Sequence, residues 1–396
     1  MFQPGGQLDD LRQGVRDWCA SRVPEDWRDR QRGVTHAELV EFLRWWGGEL
    51  RDAGLLAPHW PREWGGGFSI AEQVAIAEEL ARGDVPRNAL FHVATFNVAP
   101  TLVHHATPEQ LDRFLPGIRR GEVWCQGFSE PDAGSDLASL QTRAVRDGDQ
   151  YVVTGQKVWT SWAREADWCM LLARTDPSAS KHKGISCIIV DMRSPGIEVR
   201  PIKQVWGPAD FNEVFFDEVV VPADHLVGDE NNGWRVAQGT LAAERAVAIL
   251  EMAERLRVNG IEAAVADVAA WRLEDGRPAL DDDAVREQLA ESYAQVHVLR
   301  HLLNSMIDGI IRGDDVGGTS SIIKVFYSEI LLDLMRRLTD LQGVRGQLDA
   351  PVLACAGWET GFWMNDYLHA FGWLIGGGTN EIQRNVIGER LLGLPR

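Results

Sequence analysis

Apolar positions change their period twice along this chain. Up to Gly121 they recur at helical spacing: Leu39, Leu43, Trp46 and Leu50 form one stripe, and Val74, Ala77 and Leu80 another, which predicts a helix over Ile70–Arg82. Pro58 to Gly67 breaks the pattern with prolines and glycines and reads as a loop. Thr107-Pro108-Glu109-Gln110 reads as a helix start, a hydroxyl cap followed by proline in the first turn. After Gly121 the period shortens. Tyr151–Val153, Trp168–Leu172, Gly184–Val190, Ile197–Pro201 and Val214–Val221 are short runs rich in β-branched and aromatic residues. Turn residues separate them, at Asp147-Gly148, Asp176-Pro177, Ser194-Pro195-Gly196 and Pro208-Ala209-Asp210. Closely spaced strands without intervening helices predict a small antiparallel barrel or sandwich from about Val123 to Leu226. From Asn232 the helical period returns, with helices predicted at about Trp234–Asn259, Ala284–Arg312, Thr319–Leu341 and Trp358–Leu374 and a short one at Asn380–Leu392. Four long helices in succession are a bundle pattern. The fold class is therefore mainly α with a central β domain: a helical domain over 1–122, a small β-barrel over 123–228 and a helical bundle over 229–396.

Composition narrows the function. A chain of 396 residues with 45% apolar and 25% charged positions has the make-up of a multi-domain globular protein. The net charge of −18 argues against a broad nucleic-acid footprint, which needs a basic face, but leaves room for a local anion site. The five cysteines, Cys19, Cys125, Cys169, Cys187 and Cys355, are scattered and form no C-x-x-C pair. Neither a disulfide framework nor a metal site is expected, and a reducing cytoplasm suits them. His297 and His301 share a helix face but lack an evident third ligand. No signal peptide, membrane-spanning run, P-loop or nucleophile elbow is visible.

Three stretches stand out for chemistry. Gln126 to Leu137 is rich in small residues and hydroxyls, which let backbone N–H groups approach a ligand; it equally suits an ordinary surface loop. Gly155-Gln156-Lys157-Val158-Trp159-Thr160-Ser161 sets an aromatic beside a small hydroxyl near a strand end, able to bracket a planar ring or to be half-buried in the sheet. Gly376-Gly377-Gly378-Thr379 precedes a helix start and suits an anion or carbonyl, or a plain capped turn. Glu244 falls on a helix face whose neighbours Ala237, Thr240, Leu241, Val247 and Ala248 carry no charge. Burial there raises a carboxylate's pKa and makes it a better proton acceptor, unless a cation from another helix pairs with it.

Together these stretches resemble the acyl-CoA dehydrogenase family of flavoproteins. The resemblance rests on Ser129-Glu130-Pro131-Asp132-Ala133-Gly134-Ser135-Asp136, Gly155–Ser161 and Gly378-Thr379-Asn380-Glu381-Ile382-Gln383-Arg384, with Ala209–Phe216 and Asn232-Gly233-Trp234 in support. It covers nearly the whole chain in the family's domain order. It implies FAD, bound by Phe128, Ser129, Gly134, Ser135, Trp159, Ser161, Thr379 and Glu381, with the Ser161 hydroxyl near the flavin N5. It implies an acyl-CoA substrate touched by Ser135, Arg245, Gly377 and Gly378. The implied reaction removes an α-proton and a β-hydride to give a trans-2-enoyl-CoA, with an electron-transfer flavoprotein as acceptor. Most relatives carry the catalytic Glu where this chain has Gly377. A minority carry it in an acidic-then-Arg pair matched by Glu244-Arg245, so Glu244 is the expected base and the Gly377 N–H an expected oxyanion donor.

Two departures from the family pattern bear on assembly. The R-x-x-F-G segment is not recognisable around Trp271–Asp283, and Asp340 to Gly346 stands where Q-x-x-G-G-x-G is usual. Both segments complete the cofactor site across a subunit interface in the family. A homo- or hetero-oligomer, dimer or tetramer, is expected, of the actinobacterial type acting on bulky or steroid-side-chain acyl-CoAs. The rival expectations are a non-catalytic partner subunit and a same-fold oxidase or monooxygenase.

Overall fold

The computed structural model describes every residue except 32, 206, 208, 244–246, 274, 344–362 and 396, and describes no side chain at 29 or 241–250. Local signals set the first helices: α1 (Leu8–Arg22), α2 (His36–Ala53), α3 (Ile70–Arg82), α4 (Ala99–His105) and α5 (Pro108–Arg120). Helices α3 and α5 both start with capping boxes, Ser69 with Glu72 and Thr107 with Gln110, so donors that a helix start leaves orphaned are satisfied reciprocally. Gly121 ends α5 in the left-handed region at φ 103°, where glycine has no Cβ to clash. A π-helical turn, Val93–Val98, leads into α4.

Eight strands follow: β1 (Trp124–Gly127), β2 (Arg143–Asp147), β3 (Gln150–Ser161), β4 (Trp168–Arg174), β5 (Ile185–Asp191), β6 (Ile197–Ile202), β7 (Phe211–Pro222) and β8 (Leu226–Val227). They form one sheet in the order β6-β7-β3-β2-β4-β5-β8, with β1 beside β4. The sheet is mixed rather than antiparallel, because β1 runs parallel to β4 in the register Trp124 to Trp168 and Cys125 to Cys169. A parallel pair needs a long crossover, which the chain between β1 and β4 supplies. Strands β4 and β5 are buried on both faces, which is why they read as unbroken apolar runs. Cys169, Leu171 and Ala173 pack with Tyr151, Val153 and Val214. Met170 and Leu172 face the opposite way, onto Leu102, Phe114 and Leu115 of α4 and α5 and onto Val236 of the next helix.

The last third returns to helices: α6 (Gly233–Ala243), α7 (Val247–Arg255), a π-helical segment Leu256–Glu262, α8 (Ala263–Ala270), α9 (Asp283–Arg312), α10 (Gly317–Gln342), α11 (Trp363–Ile375) and α12 (Asn380–Val386). The helix predicted to stop at Asn259 thus continues through a π segment to Ala270, while 244–246 within its span, and 358–362 of the Trp358–Leu374 prediction, lie outside the described residues. The chain separates into two compact units: Val40–Gly67 with Asn88–Glu244 (and Met1), and Phe2–Leu39 with Phe68–Arg87 and Arg245–Arg396. The first contains the sheet. The second is built on a core of Leu299, Leu303, Met306, Ile323, Leu331, Leu334 and Met335. Within it, Glu79 of α3 is fully buried and held by Arg12, Arg16 and Arg82 at 2.6–2.9 Å. Burial alone would raise that carboxyl's pKa, but the arginines hold it below the ordinary range. Among the described residues no helix is long and apolar enough to cross a membrane.

Candidate functional site

The site is built from the ends of β1 and β3, which hold a turn. Strand β1 extends through Gln126 and Gly127, so the loop expected from Gln126 onward begins at Phe128. Gly127 lets β4 approach closely: a Cβ there would sit 2.9 Å from Leu171 Cδ1 and 3.0 Å from Cys169 Sγ. The chain then folds back on itself, because Glu130 and Ala133 exchange both backbone hydrogen bonds, at 3.1 and 3.0 Å. Pro131 and Asp132 form the exposed corner of that turn.

A buried ion pair fixes this turn. The Glu130 carboxylate accepts from the backbone N–H groups of Gln141 (2.6 Å) and Thr142 (2.8 Å) and from Lys157 Nζ (2.8 Å). Lys157 is wholly buried and also donates to the Phe128 carbonyl at 2.9 Å. Burial pulls the ammonium down to about 8, opposed by the neighbouring Glu130 charge. The Glu130 carboxyl is itself held below its ordinary range, because the Lys157 charge and the donated hydrogen bonds outweigh its burial. We take the pair as ionised at neutral pH, since both partners are saturated with complementary hydrogen bonds. Lys157 lies on the inward face of β3, in step with Tyr151 and Val153. A lysine at a core position of an alternating strand was the available signal for this pair, and it went unread as such.

The same strand carries the expected ring-facing residues. The Val158 N–H donates to the Ser129 carbonyl at 2.9 Å, so residues 128–130 lie alongside 157–159. Phe128 is buried among the sheet's helix-facing residues. Trp159 is not: its side chain is 59% exposed, and its backbone takes φ 59°, a left-handed conformation uncommon for a bulky residue. It falls where the β3–β7 register shifts, between Lys157 and Thr160, and its indole meets the Phe211 ring edge-on at 6.2 Å. Thr160 is fully buried with an unpartnered hydroxyl, and Ser161 pairs with Phe211 at the strand's end. The structure thus brings Phe128 and Ser129 alongside Trp159 at the C-terminal end of β3, with Ser161 two residues on. Gly134 and Ser135 lie on the exposed far side of the turn. Next to them, Asp136 accepts from Ser139 Oγ and Lys181 Nζ, both at 2.6 Å; the Lys181 bond is the main reason its carboxyl stays below the ordinary range.

The glycine loop belongs to the second unit. Gly377 and Gly378 take φ 66° and 88°, and a Cβ on Gly377 would meet no atom within 4 Å. Gln383 Nε2 donates to the Gly377 carbonyl at 2.8 Å, and Asn380 Oδ1 accepts from Lys324 Nζ at 2.8 Å and Ser328 Oγ at 3.0 Å. Thr379 caps α12 through the Ile382 N–H. Glu381 is exposed in the first turn, its carboxyl held below the ordinary range by its own backbone N–H and the Thr379 hydroxyl. Glu244 and Arg245 lie outside the described residues.

Near the sheet's helices, a second polar cluster escaped the sequence reading. The Thr95 carbonyl, in the π turn before α4, accepts both Trp60 Nε1 (2.9 Å) and His59 Nε2 (3.1 Å). Burial drives the His59 imidazole to about 4, so it is neutral at pH 7. A π turn shifts the hydrogen-bond ladder by a residue and frees such a carbonyl.

Comparison with known proteins covers almost the full chain. Three family profiles match in order: acyl-CoA dehydrogenase N-terminal domain over residues 7–122, middle domain over 125–219 and C-terminal domain over 231–392. Acyl-CoA dehydrogenase IpdE1 of Mycobacterium tuberculosis is 39% identical over 398 residues, covering 98% of each chain. Among solved structures, the protein titled Tcur3481-Tcur3483 steroid ACAD aligns with a TM-score of 0.85 at 34% identity, over 100% of this chain and 99% of that one. The ChsE4-ChsE5 complex from Mycobacterium tuberculosis aligns with a TM-score of 0.82 at 31% identity, over 100% and 99%.

Proposed function

The chain belongs to the acyl-CoA dehydrogenase family, and on that premise we propose that it desaturates a bulky acyl-CoA thioester between its α and β carbons, with Glu244 taking the α-proton. Its cofactor is FAD, and its reaction class is the FAD-dependent dehydrogenation of acyl-CoA. When bound, FAD supplies the hydride acceptor. The rest is work for the chain's own residues.

The observation that carries the reading is the strained, exposed Trp159 beside Ser129 and Ser161. An indole held out of the core in a left-handed backbone costs stability, and such strain persists where the surrounding structure over-determines it. Its position suits the wall of a planar ring, with the Ser129 and Ser161 hydroxyls as donors to ring heteroatoms. The Glu130–Lys157 pair keeps that strand end in place without touching the ring. These residues fit the isoalloxazine end of FAD, and Thr379 and Glu381 are assigned to the same cofactor.

A thioester α-proton is too weakly acidic for a carboxylate unless the carbonyl is polarised. The Gly377 N–H is assigned to the thioester oxygen, where a backbone donor stabilises the developing enolate. Gly378, Ser135 and Arg245 complete the substrate contacts. The family's barrel and four-helix bundle go with this reading. So do an electron-transfer flavoprotein as acceptor and a cytoplasmic location.

The substrate class follows the relatives. One solved relative is the Tcur3481-Tcur3483 steroid ACAD, and another is the ChsE4-ChsE5 complex. We extend both features to this chain: a steroid-type or similarly bulky acyl group, and a hetero-oligomer in which a partner supplies what the unrecognised R-x-x-F-G and Q-x-x-G-G-x-G segments would otherwise give. An anaerobic screen of short, long, branched and steroid-type acyl-CoAs tests this. Bleaching confined to bulky acyl groups is expected. Reduction by short straight chains alone would remove the substrate assignment. A chain purified without flavin and reduced by no acyl-CoA would point instead to the non-catalytic subunit.

A further inference from the structure

A cavity of about 140 Å³ lies in the first unit, away from the Phe128–Ser161 strand ends in sequence and in lining. It is lined by Arg44, Arg51 and Arg120 together with Gly47, Gly48, Gly121, Leu56 and Phe91. Three guanidiniums around one hollow are out of keeping with a chain of net charge −18. We propose that this cavity binds a small oxyanion of the phosphate class.

The glycines argue that the hollow is built. Gly47 and Gly48 sit side by side within α2, where glycine is the poorest helix former after proline. Packing explains Gly47, because a Cβ there would fall on the Phe91 ring. It does not explain Gly48, whose Cβ would meet only Arg51 Nη2, at 3.6 Å. Gly48 thereby leaves the space beside that guanidinium open. Gly121 is left-handed, and a Cβ on it would come within 3.9 Å of Arg51 Nη1 and 3.7 Å of the Phe91 ring.

The arginines are only partly neutralised. Arg51 is braced at both ends: Nη1 donates to the Arg120 carbonyl at 3.1 Å and Nε to the exposed Asp52 carboxylate at 3.0 Å. Arg120 approaches Glu122 only at 3.9 Å. Arg44 is exposed and makes no ion pair among the described residues. Two neighbouring carboxylates therefore offset three guanidiniums incompletely, and Nη2 of Arg51 lies beside the open Gly48 position. Guanidinium forks match the oxygen spacing of phosphate, and the volume accommodates a group several waters in size.

The test is calorimetric titration of the full-length flavin-loaded chain with inorganic phosphate, ionic strength being held constant with chloride. Saturable binding is expected. Arg44→Gln, at an exposed position outside the flavin-facing residues, should weaken it about tenfold, the worth of one charge-assisted bond. Gly48→Glu improves helix propensity and sets a carboxylate into the cavity lining, so it should abolish binding while the thermal midpoint holds. Anaerobic flavin reduction by acyl-CoA should be unchanged in Arg44→Gln, which separates this site from the catalytic one. Competition by phenyl phosphate would assign the site to a phosphoryl group on a larger molecule, and its exclusion would assign it to free phosphate. Absence of saturable binding, or binding equally tight in Arg44→Gln and Gly48→Glu, would overturn the proposal.

Discussion

At the scale of single residues, the most consequential side chains near the candidate site are ones that touch no ligand. Lys157 and Glu130 bond to each other and together satisfy three backbone groups of the β domain, the Gln141 and Thr142 N–H groups and the Phe128 carbonyl. Lys157→Met leaves the Glu130 carboxylate buried without its cation, and we expect a loss of about 3–5 kcal/mol in urea unfolding. The pair also sets a pH dependence. The Glu130 carboxyl has a folded-state pKa below its unfolded one, so its stabilisation is full above the unfolded value and is lost as pH falls through the folded value. His59, driven to about 4 by burial, acts in the same direction: the unfolded state binds the extra proton first, so stability falls as pH drops from the ordinary histidine range toward 4. Unfolding measured at a series of pH values should therefore show a steeper acid loss in the parent than in Glu130→Gln. Trp159 makes the opposite kind of prediction. Because its side chain is exposed and its φ suits glycine, Trp159→Gly should keep stability within about 1 kcal/mol of the parent while weakening flavin retention on gel filtration.

At the scale of elements, what could be read from the chain was whatever burial and local capping impose. The Thr107 start of α5 was legible because a cap, a proline and a Gln three residues on act within one turn. Thr107→Ala should cost about 1 kcal/mol in the same unfolding assay. The apolar runs of β4 and β5 were legible because both faces are covered. Strand β2, Arg143–Asp147, was not, since a single buried alanine among exposed residues, the apolar Val145 included, carries no alternation. Strand β1 was missed because Gln126 and Gly127 look like loop residues; the glycine is there to admit Leu171 and Cys169, a contact visible only once β1 lies beside β4. Gly127→Ala should cost about 1–3 kcal/mol through that overlap. Neither π segment, 93–98 or 256–262, has a sequence period of its own, so both were read as ordinary helix or not at all. At the site, the juxtaposition of Ser129 with Trp159 was reachable only through resemblance, since nothing local tells residue 129 that 158 is its hydrogen-bond partner.

At the scale of the whole molecule, helical regions precede and follow in sequence a mixed sheet whose strand β3 carries a strained tryptophan near its end, and the family supplies FAD and the reaction class. The central claim is that this chain uses that strand end with Glu244 as its base. Anaerobic flavin reduction, followed by the loss of yellow absorbance on adding a bulky acyl-CoA, tests it most directly in the parent and in Glu244→Gln. The account predicts rapid bleaching in the parent, and a variant that stays yellow, retains its flavin and slows by at least about a thousandfold, on the order of general-base removal. Bleaching of Glu244→Gln at the parent's rate would contradict it.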